Sequence, residues 1–188
     1  MNVNRGLPRS LEAGLAVFGL LVTAPLSLLA AALIKIESRG PVLFRQLRMG
    51  RGGKAFTLLK FRSMRVSGGG ALVTASGDDR ITKIGRILRR TKIDELPELW
   101  NIVRGEMSIV GPRPEVPELV DLRDPLWMEI LTVSPGLTDP VTLKLRNEEE
   151  LLAQAGNREE FYRNTLQPYK LRGYVDFVRS RTWKTDVN

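Results

Sequence analysis

Residues 11–34 read LEAGLAVFGLLVTAPLSLLAAALI, with Glu12 as the one charged side chain. As a straight helix this block would measure about 36 Å, enough to cross the hydrocarbon core of a bilayer. It is too long for the apolar core of a signal peptide. Pro25 lies at its middle, removes a backbone donor and predicts a kink. Thr23 and Ser27 are placed to satisfy the backbone groups the proline frees. Both flanks are basic: Arg5 and Arg9 precede the block, and Lys35, Arg39, Arg45 and Arg48 follow it. The positive-inside rule then favours both ends on the cytoplasmic side. Two topologies fit these residues, a bent helix that enters and leaves one leaflet and a plain span with a proline kink.

The chemistry open to the rest of the chain is narrow. Its 188 residues suffice for one core-forming domain. There is no Cys and no His. That excludes disulfides, thiol nucleophiles, Cys-ligated metals and the Ser-His-Asp arrangement. Zinc rarely accepts carboxylates alone. What remains is carboxylate and Lys/Arg chemistry with a hard cation, and Mg2+ suits it because it takes oxygen ligands and substrate phosphates. The net charge is +8, and residues 39–113 hold sixteen Lys/Arg against six Asp/Glu, a local surplus of +10. Such a segment calls for an anionic partner: nucleic acid, an anionic membrane surface or a phosphorylated substrate.

Residues 41–46 and 56–61 read as strands joined through Gly50, Gly52 and Gly53, a β-hairpin. Residues 66–79, rich in Gly, Ser and Ala, predict a mobile loop. Apolar positions 81, 84, 87 and 88 predict a helix over 81–90. A second helix is expected over 94–103, an ordered loop over 104–117, and short helices near 117–132 and 148–156. Residues 159–178 mix Phe161, Tyr162, Tyr169, Tyr174 and Phe177 with Lys and Arg. Such helices lie in a membrane interface or cap a soluble core, and the sequence leaves both open.

The stretch 89–114, RRTKIDELPELWNIVRGEMSIVGPRP, carries the most chemical information. Pro97 is tolerated in a first turn, so Asp94 and Glu95 open a helix, and Thr91 with Asp94 matches a capping pattern. A helix start attracts phosphate through its free N–H groups. Arg86, Arg89, Arg90 and Lys92 lie just upstream, and Lys60, Arg62 and Arg113 are further basic candidates. A carboxylate among cations stays ionised, as a nucleophile or a metal ligand must. The neighbouring Glu95 would hold the nucleophile or exchange a proton. Arg113 stands between Pro112 and Pro114, which would steady its guanidinium for bidentate phosphate contact.

On these residues the sequence resembles the bacterial sugar transferase family, the monotopic phosphoglycosyl transferases in their minimal catalytic form. The resemblance takes in the proline-bent apolar helix and Lys60-Phe61-Arg62-Ser63-Met64. It also takes in Asp94-Glu95-Leu96-Pro97, the run Asn101-Ile102-Val103-Arg104-Gly105-Glu106-Met107-Ser108, Val110-Gly111-Pro112-Arg113-Pro114 and Pro135-Gly136-Leu137-Thr138. The family implies a UDP-sugar donor whose β-phosphate is attacked by the aspartate at Asp94, with release of UMP. A polyprenyl (undecaprenyl) phosphate then takes the phospho-sugar from the aspartyl intermediate. It implies Mg2+ at Asp94, basic contacts at Lys60, Arg89, Arg113 and Arg146, and a re-entrant apolar helix. The sequence departs from the family at Asp139-Pro140, where Gly-Trp is usual, at Leu145-Arg146-Asn147 for Gly-Arg-Asn, and at Ala24-Pro25 for Ser-Pro.

The expectation is therefore an α+β fold, small and mostly helical, with a short β-hairpin. Residues 1–38 form the re-entrant membrane helix and 39–188 the cytosolic catalytic domain with interfacial helices. Catalysis is assigned to Asp94 and Glu95, metal binding to Asp94, and substrate binding to Lys60, Arg62, Arg89, Arg113 and Arg146. The expected place is the cytosolic face of the bacterial inner membrane, in contact with membrane lipid, with a homodimer as a further possibility. A basic membrane-associated scaffold, in which the acidic pair only caps a helix, is the rival reading. A tethered nucleic-acid binder lacks any aromatic RNA signature or DNA-reading motif, so no nucleic acid is expected.

Overall fold

The apolar block folds as one helix, α1 (Arg9–Glu37), in a computed structural model that describes residues 6–65 and 77–187. The helix continues through Pro25. Thr23 does not serve the carbonyl the proline deprives of its donor, which is that of Leu21; its Oγ1 donates to the Gly19 carbonyl at 2.7 Å. The side chains of α1 divide between two faces. Glu12, Ala16, Ala30 and Ile34 are buried on one stripe, with Gly19, Thr23 and Ser27 half-buried between them. Leu11, Leu15, Phe18, Leu21, Val22, Leu28 and Leu29 point outward and are exposed. A helix on a water-soluble domain does the reverse. By length and composition α1 is able to cross a membrane.

β1 (Leu43–Met49) and β2 (Ala55–Phe61) form the expected antiparallel hairpin, Leu43 opposite Phe61 and Met49 opposite Ala55. Its turn takes positive φ at Gly52 (69°) and Gly53 (71°), where a Cβ would be strained. α2 (Lys83–Arg90) follows, with the Thr82 side chain accepting from the Gly85 N–H. The mobile loop expected over 66–79 falls mainly on 66–76, outside the described residues. After α2 the chain turns sharply through Lys92, whose φ of 59° is left-handed, into a 3-10 turn, Ile93–Glu95.

α3 (Glu98–Arg104) starts just after Pro97, later than the expected Asp94. The acidic pair occupies the tighter turn before the helix. Thr91 does not cap this element. Its Oγ1 closes α2 instead, donating to the carbonyls of Ile87 (2.8 Å) and Leu88 (3.2 Å). Asn101, fully buried on α3, bonds β2 as another strand would, taking the Leu59 N–H on Oδ1 (3.1 Å) and giving Nδ2 to the Thr57 carbonyl (2.8 Å).

The stretch expected as loop contains a strand, β3 (Ser108–Val110), which pairs in parallel with β4 (Gly136–Thr138). This pairing brings the Gly111-Pro112-Arg113-Pro114 and Pro135-Gly136-Leu137-Thr138 segments together. A Cβ on Gly136 would lie 2.1 Å from the Gly111 nitrogen, so glycine is required there by close approach. Between them lies α4 (Pro125–Ile130), and after them α5 (Pro140–Lys144), α6 (Glu148–Gln154) and α7 (Arg158–Phe161). A π-helical turn, Tyr162–Leu166, then leads into α8 (Gln167–Ser180). The unusual Asp139-Pro140 has a local structural task. Asp139 caps α5, accepting from the N–H groups of Val141 (2.7 Å) and Thr142 (2.9 Å), and Pro140 occupies the first helical position. The aromatic C-terminal third caps the core: Tyr162, Leu166, Leu171, Tyr174, Val175 and Phe177 are buried, while Tyr169 stays exposed.

Polar side chains fasten α1 to the domain at both of its ends. Arg9 caps the carboxyl end of α3, donating to the Ile102 and Val103 carbonyls. Glu12 accepts the Ile109 N–H at 3.0 Å. At the far end, Glu37 accepts the N–H groups of Lys83 (2.6 Å) and Ile84 (3.0 Å) and so caps α2.

Candidate active site

The site grows out of the floor that α1 supplies. Ala30 and Ile34 of α1 pack with Phe61 and Leu88, and Ile84, Ile93 and Leu96 join them. Phe61 adjoins Lys60, and Ile93 and Leu96 bracket the acidic pair, so apolar packing fixes three backbone segments against one another. The polar side chains project from these segments.

Glu95 is the hub. Its Oε1 lies 2.9 Å from Lys60 Nζ, accepts from Arg113 Nη2, and is 4.0 Å from Lys92 Nζ. Burial works against its charge, but Arg113 and Lys60 outweigh that and hold the carboxyl well below its usual range. Lys60 also sits 3.1 Å from Oε1 of Glu98, off-line for a hydrogen bond. Glu98 is almost fully buried, and burial pushes its carboxyl up. Arg113 is held protonated by Glu95 and Glu98 in spite of its own burial.

Asp94 differs from its neighbour. It is 5% exposed, and its Oδ1 is buried with no hydrogen-bond partner among the described residues. Burial raises its pKa above the usual aspartate value; Lys60, Arg89 and Lys92 pull it back in part, and Glu95 adds to the rise. From the sequence, the surrounding cations are expected to dominate. They do not, because Glu95 takes the direct contacts with Lys60 and Arg113 while Asp94 is left to desolvation. The result is a carboxylate oxygen with free lone pairs, poorly solvated and flanked by cations.

Arg89 reaches Asp94 electrostatically but its Nη2 bonds Glu149 of α6. Arg62, expected among the substrate-binding cations, is committed elsewhere. Its guanidinium is buried and donates to the carbonyls of Ser38 (2.7 Å) and Arg39 (3.0 Å), just past the carboxyl end of α1. Arg146 is exposed on the turn between α5 and α6. Sequence reasoning missed Glu98, whose one signal was its helical spacing from Asp94 and Glu95.

An open cleft of about 620 Å³ lies between α1, the hairpin and α3. Its walls are mostly apolar, including Leu20, Leu59, Phe61, Leu96 and Trp100, and Arg45 and Arg104 also line it. Leu96 and Phe61 link it to the acidic pair. Among the described residues no group of three acidic side chains forms a ready metal cage. One hard, unpartnered oxygen at Asp94 does fit Mg2+, which binds through one or two carboxylates and completes its shell with substrate phosphate and water.

Residues 3–181 match the family model for the bacterial sugar transferases. The chain belongs to that family. A relative in Escherichia coli, a UDP-glucose:undecaprenyl-phosphate glucose-1-phosphate transferase, is 41% identical over 99% of the chain and 41% of its own length. A protein of the same description in Caulobacter vibrioides is 50% identical over 61% of the chain and 45% of its own length. The exopolysaccharide production protein ExoY of Rhizobium meliloti is 34% identical over 83% of the chain and 76% of its own length. The chain thus spans less than half the length of the first two.

Proposed function

We propose that this chain transfers a phospho-sugar from a UDP-sugar to a polyprenyl phosphate, with Asp94 as the nucleophile. The observation that carries the reading is the contrast within the acidic pair: Asp94 Oδ1 is buried and unpartnered, while Glu95 is saturated by Lys60 and Arg113. A helix-capping pair would bond backbone N–H groups, and Asp94 caps none; that argues against a mere scaffold.

In the first step Asp94 attacks the β-phosphorus, the bond from that phosphorus to the bridging oxygen breaks, and UMP leaves with the bond electrons. The phospho-sugar is then an acyl phosphate on Asp94. In the second step an oxygen of the lipid phosphate attacks the same phosphorus, the bond to Asp94 breaks, and a polyprenyl diphosphate sugar departs. No net proton is consumed. Lys60 and Arg113 face the charge that develops on the transferring group, and Glu95 holds both cations in place before substrate arrives. Asp94 would hold Mg2+, which would supply further charge neutralisation.

The outward-facing apolar surface of α1 supports a seat in the bilayer. Its attachment to the domain from Glu12 to Glu37 favours a helix that stays with one leaflet over one that leads away across it. On this reading the domain sits on the cytosolic face of the inner membrane, and the apolar cleft with Arg45 and Arg104 suits the acceptor lipid. The test is UMP release from a panel of UDP-sugars with undecaprenyl phosphate and Mg2+, and mass spectrometry of the chain after donor alone. Asp94→Asn should abolish release and the covalent adduct, and EDTA should suppress release until Mg2+ is restored. Turnover undiminished in Asp94→Asn would overturn the assignment.

A further inference from the structure

We propose that Glu115 is a positioning residue for Arg113, held by a buried polar relay that ties the Arg113 loop to the C-terminal helices. The kinetic part of this inference rests on the transferase reading; the geometric part does not.

Arg113 needs both of its flanks fixed, because a long cationic side chain is aimed by its backbone. The upstream flank is sewn to the short parallel sheet: the Gly111 N–H donates to the Thr138 carbonyl (2.9 Å), and the Pro112 carbonyl accepts from Gly136 (3.0 Å). Downstream there is no strand, and Pro114 has no N–H to give. Glu115 takes over that task. Its backbone carbonyl accepts the Met49 N–H at 2.8 Å. Its Oε1 accepts from Arg48 Nη1 (3.2 Å) and from the Val116 N–H (3.1 Å), and its Oε2 accepts from the Tyr162 hydroxyl. Arg48 Nη1 also donates to the Pro114 carbonyl at 3.0 Å.

Each partner of Glu115 is itself held. Gln46 Oε1 accepts from Nε and Nη2 of Arg48 at 3.2 and 2.8 Å, which aims the guanidinium. Lys170 Nζ donates to the Tyr162 hydroxyl at 3.2 Å and pairs with Glu148 of α6 at 3.2 Å. Tyr162 opens the π-helical turn, a local irregularity that shifts its register relative to the helices on either side. Burial and then Glu115 keep its phenol protonated, so it acts as a donor to the carboxylate. A mostly buried set of four charged groups and a phenol is costly to desolvate, and apolar side chains would stabilise the loop as well or better. What the polar set adds is direction, fixed by hydrogen-bond geometry on one side of Arg113.

The test uses the full chain in lipid nanodiscs, with Glu115→Gln and Tyr162→Phe alone and combined with Arg113→Lys. Each single variant should lower kcat/KM for UMP release about tenfold, since small misplacements of a charge-stabilising group are expensive in rate. In the Arg113→Lys background the same substitutions should cost less than about twofold, because coupled residues are not additive. Equal losses in both backgrounds, or no loss, would overturn the proposal. If Glu115→Gln does not fold, Tyr162→Phe, which removes one hydroxyl, carries the same comparison. If the wild type releases no UMP from any UDP-sugar, the transferase reading fails, and hydrogen exchange decides the clamp. Faster exchange in Tyr162→Phe confined to the amides of Arg113, Glu115, Val116 and Met49 supports it; unchanged exchange there refutes it.

Discussion

Glu95→Gln isolates the charge at the hub of the site. The substitution keeps the shape and a hydrogen-bond acceptor, but leaves Arg113 without its carboxylate and Lys60 with Glu98 alone. Removing one partner of a buried ion pair costs about 3–5 kcal/mol. Two features reduce that here. The side chains of Glu95, Lys60 and Arg113 are 11, 18 and 28% exposed, so water screens them in part, and Glu98 continues to neutralise Lys60. A loss of about 2 kcal/mol follows. For a chain of this size that lowers the unfolding midpoint by about 4–8 °C. The pH dependence fixes the origin of the loss. The Glu95 carboxyl lies well below its ordinary value of 4.5, so its contribution is complete above that value and disappears as pH falls through the folded-state value. Thermal unfolding in nanodiscs should show a constant gap between wild type and variant at neutral pH, narrowing below about pH 4.5. A midpoint unchanged at neutral pH, or a gap that widens on acidification, would refute the reasoning.

Asp94→Asn should have the opposite effect on stability. Burial raises the folded-state pKa of Asp94, so its ionised form weakens the fold above that pKa; the amide should raise the neutral-pH midpoint by about 2–4 °C, a gain that shrinks as pH falls through the folded value. Gly85→Ala places a Cβ 1.9 Å from the Ser63 carbonyl oxygen, a backbone atom that cannot move aside, and should cost about 3 kcal/mol or more, read as lost yield of folded protein and a lowered midpoint. Glu37→Ala removes the cap that α1 places on α2; a loss of about 1 kcal/mol is expected, with hydrogen exchange accelerated at Lys83 and Ile84.

Elements with a strong local signature were legible in the sequence. The apolar block, the glycine-marked hairpin and the helix over 81–90 each follow from periodicity or turn chemistry, and each is present. The pair β3 and β4 was not legible, because three residues are too few for a period and their partner lies far along the chain. The site was legible as a list of side chains but not as a division of labour. Nothing in the order Asp94-Glu95 says which carboxylate takes the cations; that depends on where β2 and the Arg113 loop arrive. Arg62 illustrates the same limit. It lies two residues from Lys60 and reads as part of one basic patch, yet it turns to carbonyls beyond the end of α1. Glu115, Tyr162 and Lys170 gave no signal because their meaning is wholly tertiary.

The two-faced surface of α1 bears on how this protein can be handled. Trimming the greasy segment to obtain a fragment for work in plain buffer would delete Ala30 and Ile34 from beneath Phe61 and Leu88, and with them the caps at both ends of the attachment. Such a fragment would gain solubility and lose the bed on which its reacting groups lie. On the proposed reading anchor and workshop are one piece, and purification would carry lipid or a substitute for it from the first step.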